Sequence, residues 1–132
     1  MINTVLKLTK LAQIEDVIKL LRAEISAVNI PEETFYDIQL AITEAVSNAF
    51  LHGTRGCSED WVELEWWIEN NSTKVRIKDN GEGFNYSRAG ELNLNPEAIL
   101  AEHGKGLFLI FSVVDDVWFN DKGNEIYCLK KW

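Results

Sequence analysis

Cysteine is scarce in this chain of 132 residues: there are two, Cys57 and Cys128. They have no CxxC spacing and no ligand cluster around them, which argues against a disulfide framework and against zinc. They read as free thiols in a reducing compartment. Long apolar runs are missing too, and no stretch could span a membrane. Residues 1–20 carry Lys7 and Lys10 within a dispersed apolar pattern, not the basic start and apolar run of a secretory leader, so the expected location is the cytoplasm. Basic excess is also absent. Thirteen Lys and Arg stand against 21 Asp and Glu, a net charge of −8 with a pI near 4.7. Nucleic acid and anionic membranes need a basic surface, so neither is expected as a direct partner. A small anionic ligand remains open, because a few local donors override the global sign. Repeats, linkers and low-complexity tracts are lacking as well. What is there is 46 % hydrophobic residues, ordinary for a globular protein. At this length one domain over residues 1–132 buries roughly two-thirds of the unfolded surface without disulfides or metal.

The apolar spacing predicts the order of elements. Residues 2–9 read as a short strand. Leu11, Ile14, Val17, Ile18, Leu21, Ile25 and Val28 share one helical face. Pro31 is placed at the first position of a second helix, with Glu32 and Glu33 in its first turn. That helix is predicted to run to about Leu51, with Gly53 and Gly56 ending it. Val62, Leu64, Trp66 and Ile68 alternate with polar positions, as do Val75 and Ile77 with Lys74, Arg76 and Lys78. The two runs form a hairpin. A two-residue turn at Asn71-Ser72 sets Ile68 opposite Val75, Glu65 opposite Lys78 and Trp67 opposite Arg76. Period two then turns Asp79 inward beside Val75 and Ile77, where a carboxylate needs a partner or a ligand. After an irregular stretch at 84–103, residues from Gly104 onward read as a helix and then two closing strands around Lys122-Gly123-Asn124. The result is an α/β two-layer protein, with a mixed, mostly antiparallel sheet carrying helices on one face.

Three pieces of chemistry sit on this frame. On the second helix, Glu44, Asn48 and His52 recur every four residues, a stripe at ~100° per residue. The stripe of Ala41, Ala45 and Ala49 lies beside it. A polar row against a small-residue row reads as the wall of a pocket. Glu44 can serve as a general base, and the Asn48 amide oxygen is a hard ligand suited to Mg²⁺ held mainly by phosphates. The second piece is Asp79-Asn80-Gly81-Glu82-Gly83-Phe84. Its inward carboxylate can accept from an exocyclic amine, and its glycines let backbone approach a flat ligand. The third is His103-Gly104-Lys105-Gly106-Leu107, whose glycines open a helix and expose backbone N–H groups to an anion, with Lys105 adding a charge. It is not a Walker A loop, which needs a Ser or Thr after the Lys. Each piece alone also fits a structural edge, turn or cap. Together they make an ATP site without a P-loop.

ExxxNxxxH, DxGxGF and GxGLFLI resemble the N, G1 and G2 boxes of the GHKL superfamily, which has the Bergerat ATP-binding fold. Within it the chain is similar to the small bacterial anti-sigma-factor serine kinases. The resemblance implies that Asn48 holds Mg²⁺ on the phosphates and that Glu44 is general base towards a serine hydroxyl. Asp79 would read the adenine amine, Gly81 and Gly83 would shape the adenine pocket, and Gly104, Lys105, Gly106 and Leu107 would meet the phosphates. Residues 84–103 would be the ATP lid. The implied partners are a sigma factor, held inactive, and a STAS-type antagonist phosphorylated on Ser or Thr, with a homodimer common in the group. His52 fits the first box in either a structural or a catalytic role. Many members carry a Gly-Thr pair in the last hairpin, whose Thr supports the adenine-binding Asp; here Gly123 is followed by Asn124.

The leading expectation is therefore a Mg·ATP-dependent serine/threonine kinase and anti-sigma factor. The alternative is a non-catalytic nucleotide-binding or partner-sequestering module of the same fold. Intact Glu44 and Asn48 favour the enzyme.

Overall fold

A computed structural model describes residues 1–53, 61–81 and 105–132. Strand β1 (Ile2–Leu8) leads through a 3-10 turn (Leu11–Gln13) into α1 (Ile14–Ile25) and α2 (Glu32–Asn48). Strands β2 (Val62–Ile68) and β3 (Ser72–Asp79) follow, then α3 (Lys105–Val113), β4 (Asp116–Phe119) and β5 (Glu125–Lys131). The strands form one sheet in the order β1-β2-β3-β5-β4, and each pairing is antiparallel. Among the described residues the mixed sheet of the sequence reading thus narrows to an antiparallel one.

Strict alternation makes the sheet two-faced. Val62, Leu64, Trp66 and Ile68 of β2 and Val75 and Ile77 of β3 are buried, and the residues between them are half-buried. The inner face packs against Val17, Leu21 and Ile25 of α1, Phe35, Ile38, Ile42 and Val46 of α2, and Leu107 and Ile110 of α3. Each such side chain contributes about 1.5–3 kcal/mol by leaving water. Trp66 has no exposed surface, so its indole N–H needs an acceptor inside the protein. Glu24 Oε1 of α1 supplies it at 3.0 Å and also accepts from the Thr4 hydroxyl of β1. One carboxylate thereby ties α1 to two strands.

The hairpin register differs from the sequence reading by two residues. The turn is Asn70-Asn71, closed by the Glu69 amide donating to the Ser72 carbonyl at 2.9 Å. Ile68 therefore faces Thr73, Trp66 faces Val75 and Leu64 faces Ile77. On the outer face Glu65 meets Arg76, and Lys74 sits over the Trp67 ring, 4.3 Å from its centroid. Arg76 also binds Glu63 and Glu125. A shift of two keeps every residue on its predicted face, so Asp79 remains inward.

Helix α2 departs from expectation at both ends. Pro31 is not its first residue but its N-cap, with φ −62° and ψ 142°. The extended ψ aims the Pro31 carbonyl at the helix, where it accepts from the Phe35 amide at 3.1 Å. At the other end the α-helix stops at Asn48, and the chain continues as a π turn, Ala49–Gly53.

Candidate functional site

The four-residue spacing of Glu44 and Asn48 places both side chains on the edge of α2 that faces α3. Their ends converge on Gly106. A Cβ added there would lie 3.1 Å from Asn48 Oδ1, 3.1 Å from Glu44 Oε2 and 3.2 Å from Asn48 Nδ2. A methyl group at this point would crowd the two side-chain ends, and glycine lets both approach the backbone of the helix that follows undisturbed. Gly106 belongs to the first turn of α3, whose leading N–H groups have no partner within the helix and carry its positive end. A carboxylate, a hard amide oxygen and the positive end of a helix thus meet at one place. Lys105 is exposed on the same turn. Leu107 is 2 % exposed, so its side chain is core and only its backbone amide is left to meet a ligand.

The alanine stripe forms the adjoining floor. Ala41, Ala45 and Ala49 are buried, and a small cavity beside them is lined by Ala45, Ala49, Ile77, Asp79 and Asn124. Asp79, 6 % exposed, ends β3 where that strand lies between β2 and β5. Its backbone amide donates to the Asn124 carbonyl at 2.9 Å, and its Oδ1 accepts from the Gly81 amide at 2.7 Å. Burial pushes its carboxyl above the usual carboxylate range, against the Gly81 hydrogen bond and the Lys122 charge, which lower it. A larger cavity of about 400 Å³ opens on the same carboxylate between Trp61, Lys78, Asn80, Asn120, Lys122 and Asn124. That volume falls in the range of small-molecule sites.

Sequence reasoning missed Trp61, Asn120 and Lys122 as lining residues and knew Asn124 only as a departure from a family pattern. Asn124 is buried at 7 %. It does not support the Asp79 carboxylate. Its Nδ2 donates to the Asp79 backbone carbonyl at 3.0 Å, and its Oδ1 accepts from Asn120 Nδ2 at 2.7 Å. Gly123, at φ 81°, makes the turn that brings it there.

No group of three His, Cys, Asp or Glu gathers around a metal position among the described residues. Asn48 offers one hard oxygen beside the positive end of α3. That donor set fits Mg²⁺, which draws most of its ligands from phosphates and water. Gly83, Gly104 and the 84–103 segment lie outside the described residues, as do Cys57 and the His52 side chain.

The chain matches the histidine kinase-like ATPase domain over residues 8–130 and belongs to that family, as its GHKL boxes indicate. It is similar to two curated proteins named serine-protein kinase RsbW. With that of Listeria monocytogenes serovar 1/2a it shares 29 % identity over 104 residues, 74 % of this chain and 66 % of the relative. With that of Staphylococcus epidermidis it shares 37 % over 101 residues, 71 % of this chain and 64 % of the relative. The matched segment spans a little under two-thirds of these relatives.

Proposed function

We propose that this protein is a Mg·ATP-dependent serine/threonine protein kinase that acts as an anti-sigma factor in the cytoplasm, as a monomer or homodimer. It would hold a sigma factor inactive and phosphorylate a STAS-type antagonist. The observation that carries the reading is the convergence of Glu44 and Asn48 on Gly106, with the Asp79 cavity beside it. The kinase names of the relatives support it.

In this reading Asp79 accepts a hydrogen bond from the adenine amine. The N–H groups that open α3, with Lys105, take the phosphates, where local donors outweigh the acidity of the chain. The Asn48 oxygen would hold a Mg²⁺ that offsets phosphate charge. Glu44 positions and deprotonates the substrate hydroxyl as its oxygen bonds to the γ-phosphorus and the bond to ADP breaks.

Calorimetric titration of ATP with and without Mg²⁺ tests this. Wild type is expected to bind with Mg²⁺ dependence, and Asn48→Ala to lose it. Glu44→Gln is expected to bind ATP normally while transfer to a STAS-domain serine falls about 10²- to 10⁴-fold, the range of general-base effects. Equal affinity in wild type and Asn48→Ala refutes the metal role. Binding without transfer in wild type leaves the non-catalytic module.

A further inference from the structure

We propose that Lys130 is a positioning residue for phosphoryl transfer. It pins the far end of α3 to α2 and so sets where the near end of α3 stands against Glu44 and Asn48. The inference rests on the kinase reading above and deepens it.

Alternation along β5 puts Lys130 on the same face as Ile126 and Cys128, which are buried in the core. An ammonium on that face needs acceptors. Lys130 Nζ donates to the Val113 carbonyl at 2.7 Å and lies 3.1 Å from Asp37 Oδ2. Val113 ends α3, where the last carbonyls have no partner within the helix and carry its negative end. A cation there caps the helix and offsets that charge. Asp37 belongs to α2. One side chain of the sheet therefore joins the two helices. The residues beside it repeat the anchorage. The Asp115 amide donates to the Leu129 carbonyl at 2.9 Å, and Asp115 Oδ2 accepts from the Lys131 amide at 2.7 Å. The C-terminal end of α3 is thus held to β5 and, through Lys130, to α2.

The two helices run antiparallel. Asp37 lies two turns before Glu44 on α2, and Val113 lies two turns after Gly106 on α3. The lysine clamp closes one end of the pair, and the approach of Glu44 and Asn48 to Gly106 forms the other. A short helix held at one end acts as a lever. Gly106 stands about 10 Å along the axis from Val113, so a rock of about 5° about the clamp moves it by about 1 Å. A displacement of that size among reacting groups costs up to about 10²-fold in rate. Phosphates held by the opening N–H groups travel with α3. The loss therefore falls on their alignment with Glu44, which acts in transfer.

The test measures kcat and KM for Mg·ATP in transfer to a STAS-domain protein, with a thermal melt of each variant. Lys130→Met keeps the side chain's length and removes its charge. It is expected to lower kcat about 10-fold and to change KM less than about 3-fold. Glu24→Ala, which strands the Trp66 N–H instead, controls for lost stability and is expected to keep wild-type kcat while folded. Gly106→Ala is then added to both backgrounds. Its methyl group is expected to cost about 10-fold or more in wild type and less than about 3-fold in Lys130→Met, where α3 is free to move off α2. If Lys130→Met does not fold, Asp37→Asn carries the test. It leaves the Val113 cap in place and is expected to lower kcat about 3-fold. Wild-type kcat in folded Lys130→Met, or in Asp37→Asn where that is the variant tested, overturns the role of Lys130. So does a change confined to KM, a full multiplication of the Lys130→Met and Gly106→Ala losses, or an equal fall of kcat in Glu24→Ala. In all of these wild type still transfers, and the kinase reading stands. Absence of transfer by wild type overturns that reading, and the role of Lys130 with it.

Discussion

Gly106→Ala separates stability from function at one atom. Alanine is favoured over glycine within a helix by up to about 1 kcal/mol. The new methyl group would meet Asn48 Oδ1 and Glu44 Oε2 at 3.1 Å, tighter than ordinary van der Waals contact, so something must shift by a few tenths of an ångström. Both contacts are the ends of half-buried side chains rather than backbone. They can swing aside cheaply, and the fold should lose little. The net change in stability is therefore expected within about 1 kcal/mol of wild type, a shift of a few degrees in Tm in either direction. Function should behave differently, because the side chains that move are the proposed base and metal ligand. Misplacing such groups by a fraction of an ångström to an ångström costs up to about 10²-fold in rate. The assay pairs a thermal melt with Mg·ATP titration and phosphoryl transfer to a STAS domain. A variant that melts like wild type and is 10- to 100-fold slower supports the convergence of the two helices as the catalytic centre. Wild-type transfer rates in a folded Gly106→Ala protein would refute it.

Two further perturbations probe the buried polar groups. Asp79→Asn should stabilise the protein at neutral pH while weakening its preference for ATP over GTP. The raised carboxyl pKa means that the folded protein favours the protonated form, so Asp79 stabilises below the carboxylate range and that contribution is lost as pH rises through it. Urea unfolding of both proteins from pH 3 to pH 7 checks the sign; a variant whose relative stability does not rise with pH contradicts it. Glu24→Ala should cost about 1–3 kcal/mol, since it strands the buried Trp66 N–H without an acceptor. Glu24→Gln, which keeps an amide oxygen, should recover most of that loss in the same denaturation assay, and equal losses in the two variants would show that the hydrogen bond is not the cause.

The parts of the site set by local period were legible in the sequence. Glu44 and Asn48 need only α-helical spacing to share an edge, and Asp79 needs only alternation to point inward. The hairpin shows how such a reading can miss register without losing the face. Asn70-Asn71-Ser72 offers two adjacent two-residue turns, and the Glu–Lys alternation pairs opposite charges in either case. Nothing local separated the two registers, but they differ by an even number, so the prediction for Asp79 was unaffected. The π turn was hidden for another reason. Ala49–Gly53 continues the composition of α2, and only the hydrogen-bond pattern changes. Asn120, Asn124 and Lys122 needed knowledge of which strand β5 joins. Its place beside β3, with Lys78 opposite Glu125, is a non-local pairing that carries the β4–β5 turn to the end of β3.

That pairing also explains why the two halves of the site make different demands on a ligand. The proposed base-reading half hangs on β3, which is hydrogen-bonded on both sides and tied to the Asn120–Asn124 hydrogen bonds. It is preorganised, and its cost is a carboxylate buried deeply enough to resist ionisation. The proposed phosphate-facing half hangs on α2 and α3, where the ends of Glu44 and Asn48 approach Gly106. In the proposed reading a base entering the sheet side meets the fixed Asp79 carboxylate, so selectivity would be set there with little rearrangement. A phosphate chain meets the unpaired end of α3, where its charge supplies what the helix end lacks. Discrimination among bases should therefore respond to Asp79, and rate to Glu44, Asn48 and Gly106. An Asp79 variant that slows transfer without changing base preference would break this division.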